Sequence, residues 1–320
     1  MFELAIIIPA YKAYFLSRTL DSLSKQTCKN FVVYVGDDAS PDNIKSVVDD
    51  YKDQINLCYY RFEDNLGGRN LVGHWERCID LSKGEPWIWL FSDDDEMESL
   101  CVEYFFKEIE SGSPYDLYHF DVDIIDEHSN IFSHSVFPVS ISSYDFAIKR
   151  LRGRLSSFVV EYIFSRSIFE KYDRFQKFDL AWGSDDATWI KLGNDRGIKT
   201  IKGPHVRWRR SALNITPSNS NKDLALRKIN SNICFMVWLS SVYKENNYDR
   251  CRIVLYGITW FCANLTKYSR LLGRNERNTN IKKICNLLSC TFLYPFAIIY
   301  YHIKRFLLLK ILKIKSISVL

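Results

Sequence analysis

None of the nine cysteines stands in a Cys-x-x-Cys pair, no glycine follows the first apolar run before residue 36, and no internal repeat or low-complexity linker interrupts the 320 residues. The missing pairs argue against zinc-ribbon and dithiol chemistry. Met1–Phe2–Glu3 leads straight into "LAIIIPAY" without a secretory signal pattern. The chain is therefore expected to start in the cytosol, with its thiols reduced, buried and inert. Without repeats, the length fits one large domain with an appendage, or two modest domains.

Acidic residues are nearly missing from one end. Residues 264–320 hold eleven Lys/Arg and a single acid, Glu276, for a net +10. The whole chain carries +5, which leaves −5 for residues 1–263. A mildly acidic body with a basic, apolar tail points to a membrane surface before it points to nucleic acid.

What is present is a regular alternation. "LAIIIPAY", "FVVYVGDDAS", "INLCYYRF" and "PWIWLF" are apolar runs of strand length. Between them, "FLSRTLDSLSKQ", "SPDNIKSVVDDY" and "NLVGHWERCIDLSK" carry helical spacing. Ser40 is the expected N-cap of the second helix, with Pro41 in its first turn, and Gly84 is expected to close the third. This order predicts an α/β fold with a mainly parallel sheet flanked by helices. Further on, "LYHFDVDIID" and "SSFVVEYIFS" read as strands, "GSDDATWIKLGNDRG" as a helix, and "IKTIKGPHVRWRR" as a strand pair. From Asp223 the pattern is helical, and the Ser/Asn/Pro cluster at 217–221 is the expected boundary. That gives a domain at 1–217 and a helical extension at 218–320.

Ligands bind such sheets at the carboxyl ends of the strands, and two acidic motifs fall there. In "FSDDDEM", a continued strand would point Asp93 and Asp95 to one side and Asp94 to the other. Two carboxylates on one side can hold Mg2+ or Mn2+ and leave coordination sites for a diphosphate. In "VGDDAS", Asp37 and Asp38 can serve a turn and helix cap, or accept a base N–H or ribose hydroxyl. Tyr11 can form a wall for the base. A third pair, Asp185 and Asp186 in "WGSDDATW", suits a helix N-terminus and equally suits a general base.

The ordered set "IIIPAYK … VGDDAS … NLGG … GHWERCIDLSKGEPWIWLFSDDDEM … GSDDATWIKLG" resembles the family 2 glycosyltransferases of GT-A fold over residues 3–215. The resemblance implies a nucleotide-diphosphate sugar donor, UDP being the commonest nucleotide, and Mn2+ or Mg2+ on the diphosphate. It also implies inverting transfer to a hydroxyl. Residue by residue, Pro9, Ala10 and Tyr11 match the nucleotide-edge segment, and Asp38, with Asp37 beside it, matches the carboxylate near the base. Asp94 and Asp95 match the end of the usual DxDD pattern. Ser92 replaces its first aspartate, so the metal pair is read as Asp93 and Asp95. Asp185 matches the base, followed by Trp189 and Leu192 at the expected places, with Asp186 its rival. Arg69 is a weaker match for a diphosphate contact. Arg209 or Arg210 is expected to close over the phosphates.

Two other readings remain at this point. A sugar-phosphate nucleotidyltransferase normally shows a glycine-rich basic loop, which "PAYKAYFLSRTL" lacks. A catalytically inactive membrane adaptor would not need its aspartate pairs.

In the tail, "ICNLLSCTFLYPFAIIYYHI" (284–303) has the length of a membrane span, interrupted by Asn286 and Pro295. "KRFLLLKILKIK" reads as a basic amphipathic helix in the membrane plane. With the resemblance, the expected partners are the donor, a glycan or polyprenyl-lipid-linked acceptor and the membrane surface, not nucleic acid. The expected location is the cytoplasmic face of the cell membrane.

Overall fold

The computed structural model describes residues 3–211 and 221–317, the side chains being described as far as 310. The expected boundary at 217–221 falls almost wholly outside them. The chain divides into two compact units. One comprises Met1–Phe146, Leu155–Lys177 and Ser184–Asn214. The other comprises Ala147–Arg154, Phe178–Gly183 and Ile215–Leu320.

The first unit opens with β1 (Leu4–Ala10), α1 (Leu16–Ser24), β2 (Phe31–Asp37), α2 (Ile44–Asp49), β3 (Leu57–Arg61), α3 (Leu71–Ile79) and β4 (Trp87–Leu90). There follow β5 (Glu96–Met97), α4 (Cys101–Glu110), β6 (Leu117–Ile125), β7 (Ile131–Ser135) and β8 (Ser140–Ile141). Next come α5 (Ser143–Leu151), which passes into the second unit at Ala147, β9 (Tyr162–Ser165), α6 (Arg166–Lys171), α7 (Ser184–Leu192) and β10 (Ile198–Arg209). The sheet runs β3-β2-β1-β4-β9-β6-β10-β5, with β7 on β6 and β8 on β10. Its β3-β2-β1-β4 half is parallel, as is β6 with β10, whereas β9 runs antiparallel between β4 and β6. The fold is therefore α/β with a mixed sheet, parallel over β3-β2-β1-β4 and antiparallel around β9. β1 and β2 are buried almost throughout, which explains their unbroken apolar runs. Leu16, Leu20 and Leu23 turn the inner face of α1 onto them.

Four local expectations change. Asn43 caps α2, its side chain accepting from the Ser46 N–H, while the Ser40 hydroxyl is spent on the Tyr11 carbonyl. α3 stops at Ile79, and Gly84, at φ 97°, serves the turn beyond it. The expected strand pair at 198–210 is one strand. Its register against β6 shifts between Ile201 and Val206, where Gly203 takes φ 119°. The apolar run 284–303 is broken by a turn before Tyr294.

The second unit holds α8 (Lys222–Val242), α9 (Asn247–Leu265), α10 (Arg274–Leu287) and α11 (Tyr294–Ile317). Gly257 lets α9 approach α8 closely, since a Cβ there would lie 1.9 Å from Met236 Cε. In α11, Ala297 and Tyr301, one turn apart, are fully buried. Phe296, Ile299, Ile303 and Phe306, at steps of three and four, are exposed on the opposite side. The segment Thr291–Lys310 is long and apolar enough to cross a membrane by length and composition, with 11% of its most apolar window buried.

Candidate active site

The three aspartates lie where β4 ends. The strand stops at Leu90, and Asp93–Asp95 occupy a bend, so the pleat does not sort their side chains. Hydrogen bonds do so instead. Asp93 Oδ2 accepts from the Tyr11 and Lys12 N–H groups at 2.8 and 2.9 Å, tying the bend to the loop after β1. Asp94 accepts from the Ser92 hydroxyl at 2.5 Å. Asp95 Oδ1 accepts from the Arg209 N–H at 2.6 Å, tying the bend to β10. Asp93 Oδ1 and Asp95 Oδ2 accept no hydrogen bond among the described residues.

Packing three carboxylates together under partial cover has an electrostatic cost. Burial, then repulsion from Asp94, pushes Asp93 up to about 6. The same two causes, in the same order, hold Asp95 well above the ordinary carboxylate range. A cation between them would relieve both. Hard oxygen donors with a free oxygen on each flank fit Mg2+ or Mn2+. The cluster Asp123, His134 and His205 is a separate possible ligand set, offering nitrogen as well as oxygen.

Arg209 is a buried tie rather than an exposed arm. Its guanidinium is fully buried, donating to the Asp94 and Asp126 carbonyls at 2.8 and 2.7 Å and pairing with Glu96. Its charge sits 4.5 Å from the Phe15 ring centre. The expected closing motion over phosphates is at odds with this burial. Arg210, next along, is exposed.

Asp37 and Asp38 are both buried. Asp37 accepts from Tyr59 Oη at 2.6 Å, Arg61 at 2.7 Å and the Ser40 N–H at 2.8 Å. Asp38 accepts from the Leu66 and Gly67 N–H groups at 2.9 and 2.8 Å and pairs with Arg77. Its own N–H donates to the Ala10 carbonyl. The two carboxylates thus shape the loops on either side of them. Burial drives His74, beside Asp38, down to about 4, so it is neutral at pH 7. Tyr11 is exposed, Pro9 half-buried and Ala10 buried. Arg69 is exposed and paired with Asp64 at 2.5 Å, while the arginine on Asp38 is Arg77, which also reaches Asp64.

Asp185 and Asp186 lie in the first turn of α7, both half-buried, with Trp189 and Leu192 anchoring the helix in the core. The structure thus joins the loop after β1, the Asp37–Asp38 turn, the Asp93–Asp95 bend and β10 into one hydrogen-bonded edge. It carries the base candidates on a separate element. Sequence reasoning missed Arg61, Arg77 and Glu96, whose ion-pair partners at the site, Asp37, Asp38 and Arg209, lie 24 or more positions away. Arg61 had one local signal: it shares a strand face with Tyr59, two residues before it.

Solved structures with this fold include TarS 1–349 of Staphylococcus aureus in complex with UDP-GlcNAc, at TM-score 0.56 and 14% identity over 92% of each chain. Another is the mannosyltransferase PcManGT of Pyrobaculum calidifontis in complex with GDP-Man and Mn2+, at TM-score 0.50 and 13% identity over 95% of this chain and 87% of that one. Both show the fold alone, which is GT-A. In sequence, the chain is 25% identical over 203 residues to the GalNAc(5)-diNAcBac-PP-undecaprenol beta-1,3-glucosyltransferase of Campylobacter jejuni, covering 61% of each. It is 30% identical over 130 residues to the poly(ribitol-phosphate) beta-N-acetylglucosaminyltransferase TarS of Staphylococcus aureus, covering 39% of this chain and 21% of that protein. The chain thus spans about three fifths of the first relative and about a fifth of the second. Over residues 5–173, more than half of its length, it matches the model of glycosyl transferase family 2, and it belongs to that family.

Proposed function

We propose that the chain transfers a sugar, with inversion, from a nucleotide-diphosphate donor, a UDP-sugar foremost, to a hydroxyl of a glycan or lipid-linked acceptor. The observation that carries this reading is the Asp93–Asp95 bend, with its raised carboxylates, at the carboxyl edge of the sheet. Tyr11, exposed beside it, offers a face to the base. Asp37 and Asp38 act from behind, fixing Arg61 and the 65–68 loop around the nucleotide. Asp93 and Asp95 would hold a divalent cation, which, when bound, supplies Lewis-acid stabilisation of the charge on the departing diphosphate. Asp185 or Asp186 removes the acceptor proton. Both lie in the first turn of α7, where a carboxylate complements the exposed N–H groups and the dipole.

The acceptor class is suggested by the relatives named above, which act on undecaprenol-linked and poly(ribitol-phosphate) substrates by name. The exposed stripe Phe296, Ile299, Ile303 and Phe306, with Lys304 and Lys310 beside it, suits peripheral attachment to an anionic membrane at the cytoplasmic face.

Nucleotide release from a panel of UDP-, GDP- and dTDP-sugars, with Mn2+ and then with excess chelator, tests the proposal. Release from one donor, stopped by chelator, is the expected result. Release unaffected by chelator refutes the metal role. A folded protein that neither turns over nor binds any nucleotide diphosphate in Mn2+ refutes transfer and favours an inactive adaptor.

A further inference from the structure

A buried carboxylate outside the aspartate bend has no Lys or Arg partner among the described residues. Asp123, on β6, is 4% exposed in its side chain, and its charge is met by two imidazoles. His134 Nδ1 and His205 Nδ1 each lie 2.7 Å from Asp123 Oδ1. The nearby cations are engaged elsewhere, Arg207 with Glu98 at 3.2 Å and Lys202 with Asp121 at 2.7 Å.

The backbone explains the convergence. Asp123 stands directly opposite His134 of β7 in the antiparallel register and opposite Arg207 of β10 in the parallel one. His205 precedes Arg207 by two, so it shares that face. It lies within the register shift between Ile201 and Val206, which Gly203 permits. A Cβ on Gly203 would lie 2.8 Å from the Tyr104 ring. Three strands thus aim three donor atoms at one point, all within 4.8 Å of one another.

We propose that Asp123, His134 and His205 form a second metal site, distinct from the aspartate bend, for a borderline transition-metal ion such as Zn2+. Two imidazole nitrogens and one carboxylate oxygen are a zinc-type donor set and a poor one for Mg2+. Ligand atoms on a tetrahedral zinc ion stand about 3.3 Å apart, so each imidazole nitrogen would back off from Asp123 Oδ1 by about half an ångström, and the two nitrogens, within 4.8 Å of each other, would settle to the same spacing. His134 is 60% exposed, which gives the ion a way in and leaves the fourth position to water. The ion would pin the β7 edge strand to β6 and β10. It would thereby hold the 126–130 turn, whose Asp126 carbonyl and Ser129 hydroxyl meet Arg209. The site does not depend on the transferase reading.

The test is Zn2+ binding to the full chain after chelator treatment and dialysis, by calorimetry, with Co2+ as a spectroscopic probe. The wild type is compared with His134→Ala, His205→Ala and, as a control, His128→Ala, an exposed histidine on the adjoining turn. Expected are one more equivalent bound by wild type and His128→Ala than by the two cluster variants. The equivalent retained should bind Co2+ with tetrahedral visible bands and no thiolate charge-transfer absorption. Zn2+ should also raise the melting temperature of the wild type and not of the cluster variants, all folded by circular dichroism. Equal Zn2+ stoichiometry and affinity in wild type and both cluster variants overturns the site, as does a thiolate signature in the equivalent they lose. Should either alanine variant fail to fold, His134→Gln, on the exposed edge strand, takes its place under the same criteria.

Discussion

Replacing Arg209 with methionine keeps the bulk of a long side chain and removes its charge and every donor on its guanidinium. Wild type spends those donors inside the protein, on the Asp94 and Asp126 carbonyls, the Ser129 hydroxyl and the Glu96 carboxylate. Glu96 is only 12% exposed, so its charge would be left with the Ser129 hydroxyl and little water. Breaking a buried pair from one side costs about 3–5 kcal/mol. The two orphaned carbonyls belong to the same network, so their loss is not a separate sum. Arg207→Met provides the control. Its partner Glu98 is 3.2 Å away and both side chains are about a third exposed, which limits that loss to roughly 0–1 kcal/mol. The Arg209 charge also pulls Asp95 down against burial and Asp94, so its removal should raise Asp95 further and make cation binding more sensitive to acid. Thermal and urea melts of the three proteins, with a Mn2+ titration of donor release, read both effects. A melting temperature for Arg209→Met equal to that of Arg207→Met would refute the claim that this arginine ties the bend to β10.

Other outcomes follow from the same edge. Asp95→Ala should abolish metal-dependent nucleotide release while the circular dichroism spectrum stays unchanged; wild-type-like release in that variant removes Asp95 from the site. In chelator, Asp93 binds its proton up to about pH 6 when folded but only to about pH 4 when unfolded. The folded state thus holds more protons in that window, and stability should fall as pH rises from about 4 to about 6. Melts at pH 4, 5 and 6 should show a steeper fall for wild type than for Asp93→Asn, and parallel curves would contradict it. Gly36→Ala puts a Cβ 2.4 Å from Cys78 Sγ in the core, and overpacking of this kind should cost about 1–3 kcal/mol, read from a urea melt. Changing Phe296, Ile299, Ile303 and Phe306 together to serine should release the full chain from anionic vesicles without lowering its melting temperature. Unchanged sedimentation with lipid would dismiss that face as the anchor. This variant is a cleaner probe than deleting residues 280–320, which would also strip the buried Ile281, Ile284 and Tyr301.

Strands β1, β2 and β4 were legible because they are buried almost throughout and so write themselves as unbroken apolar runs. β5 and β8 have two residues each, too few for any period to register. β7 lies at an edge with mostly exposed or half-buried positions, so its sequence "IFSHS" carries no core signal. In β10, the stretch read as a strand pair is one strand with a register shift between Ile201 and Val206. The aspartate bend could be found because carboxylates after a buried strand are conspicuous. The structural role of Arg209 could not, since its partners come from three separate stretches brought together only by folding. The same holds for Arg77, whose link to Asp38 spans 39 positions.

Helix α11 has two apolar sides, and only one of them is covered by the rest of its own unit. In a helix of this kind, solubility becomes a property of the surroundings. Freed into water at high concentration, the uncovered side would seek another copy or a vessel wall, so yield and apparent size on purification should vary with detergent or lipid. A preparation that self-associates would then report how the protein was handled, and its assembly state would have to be compared with and without lipid.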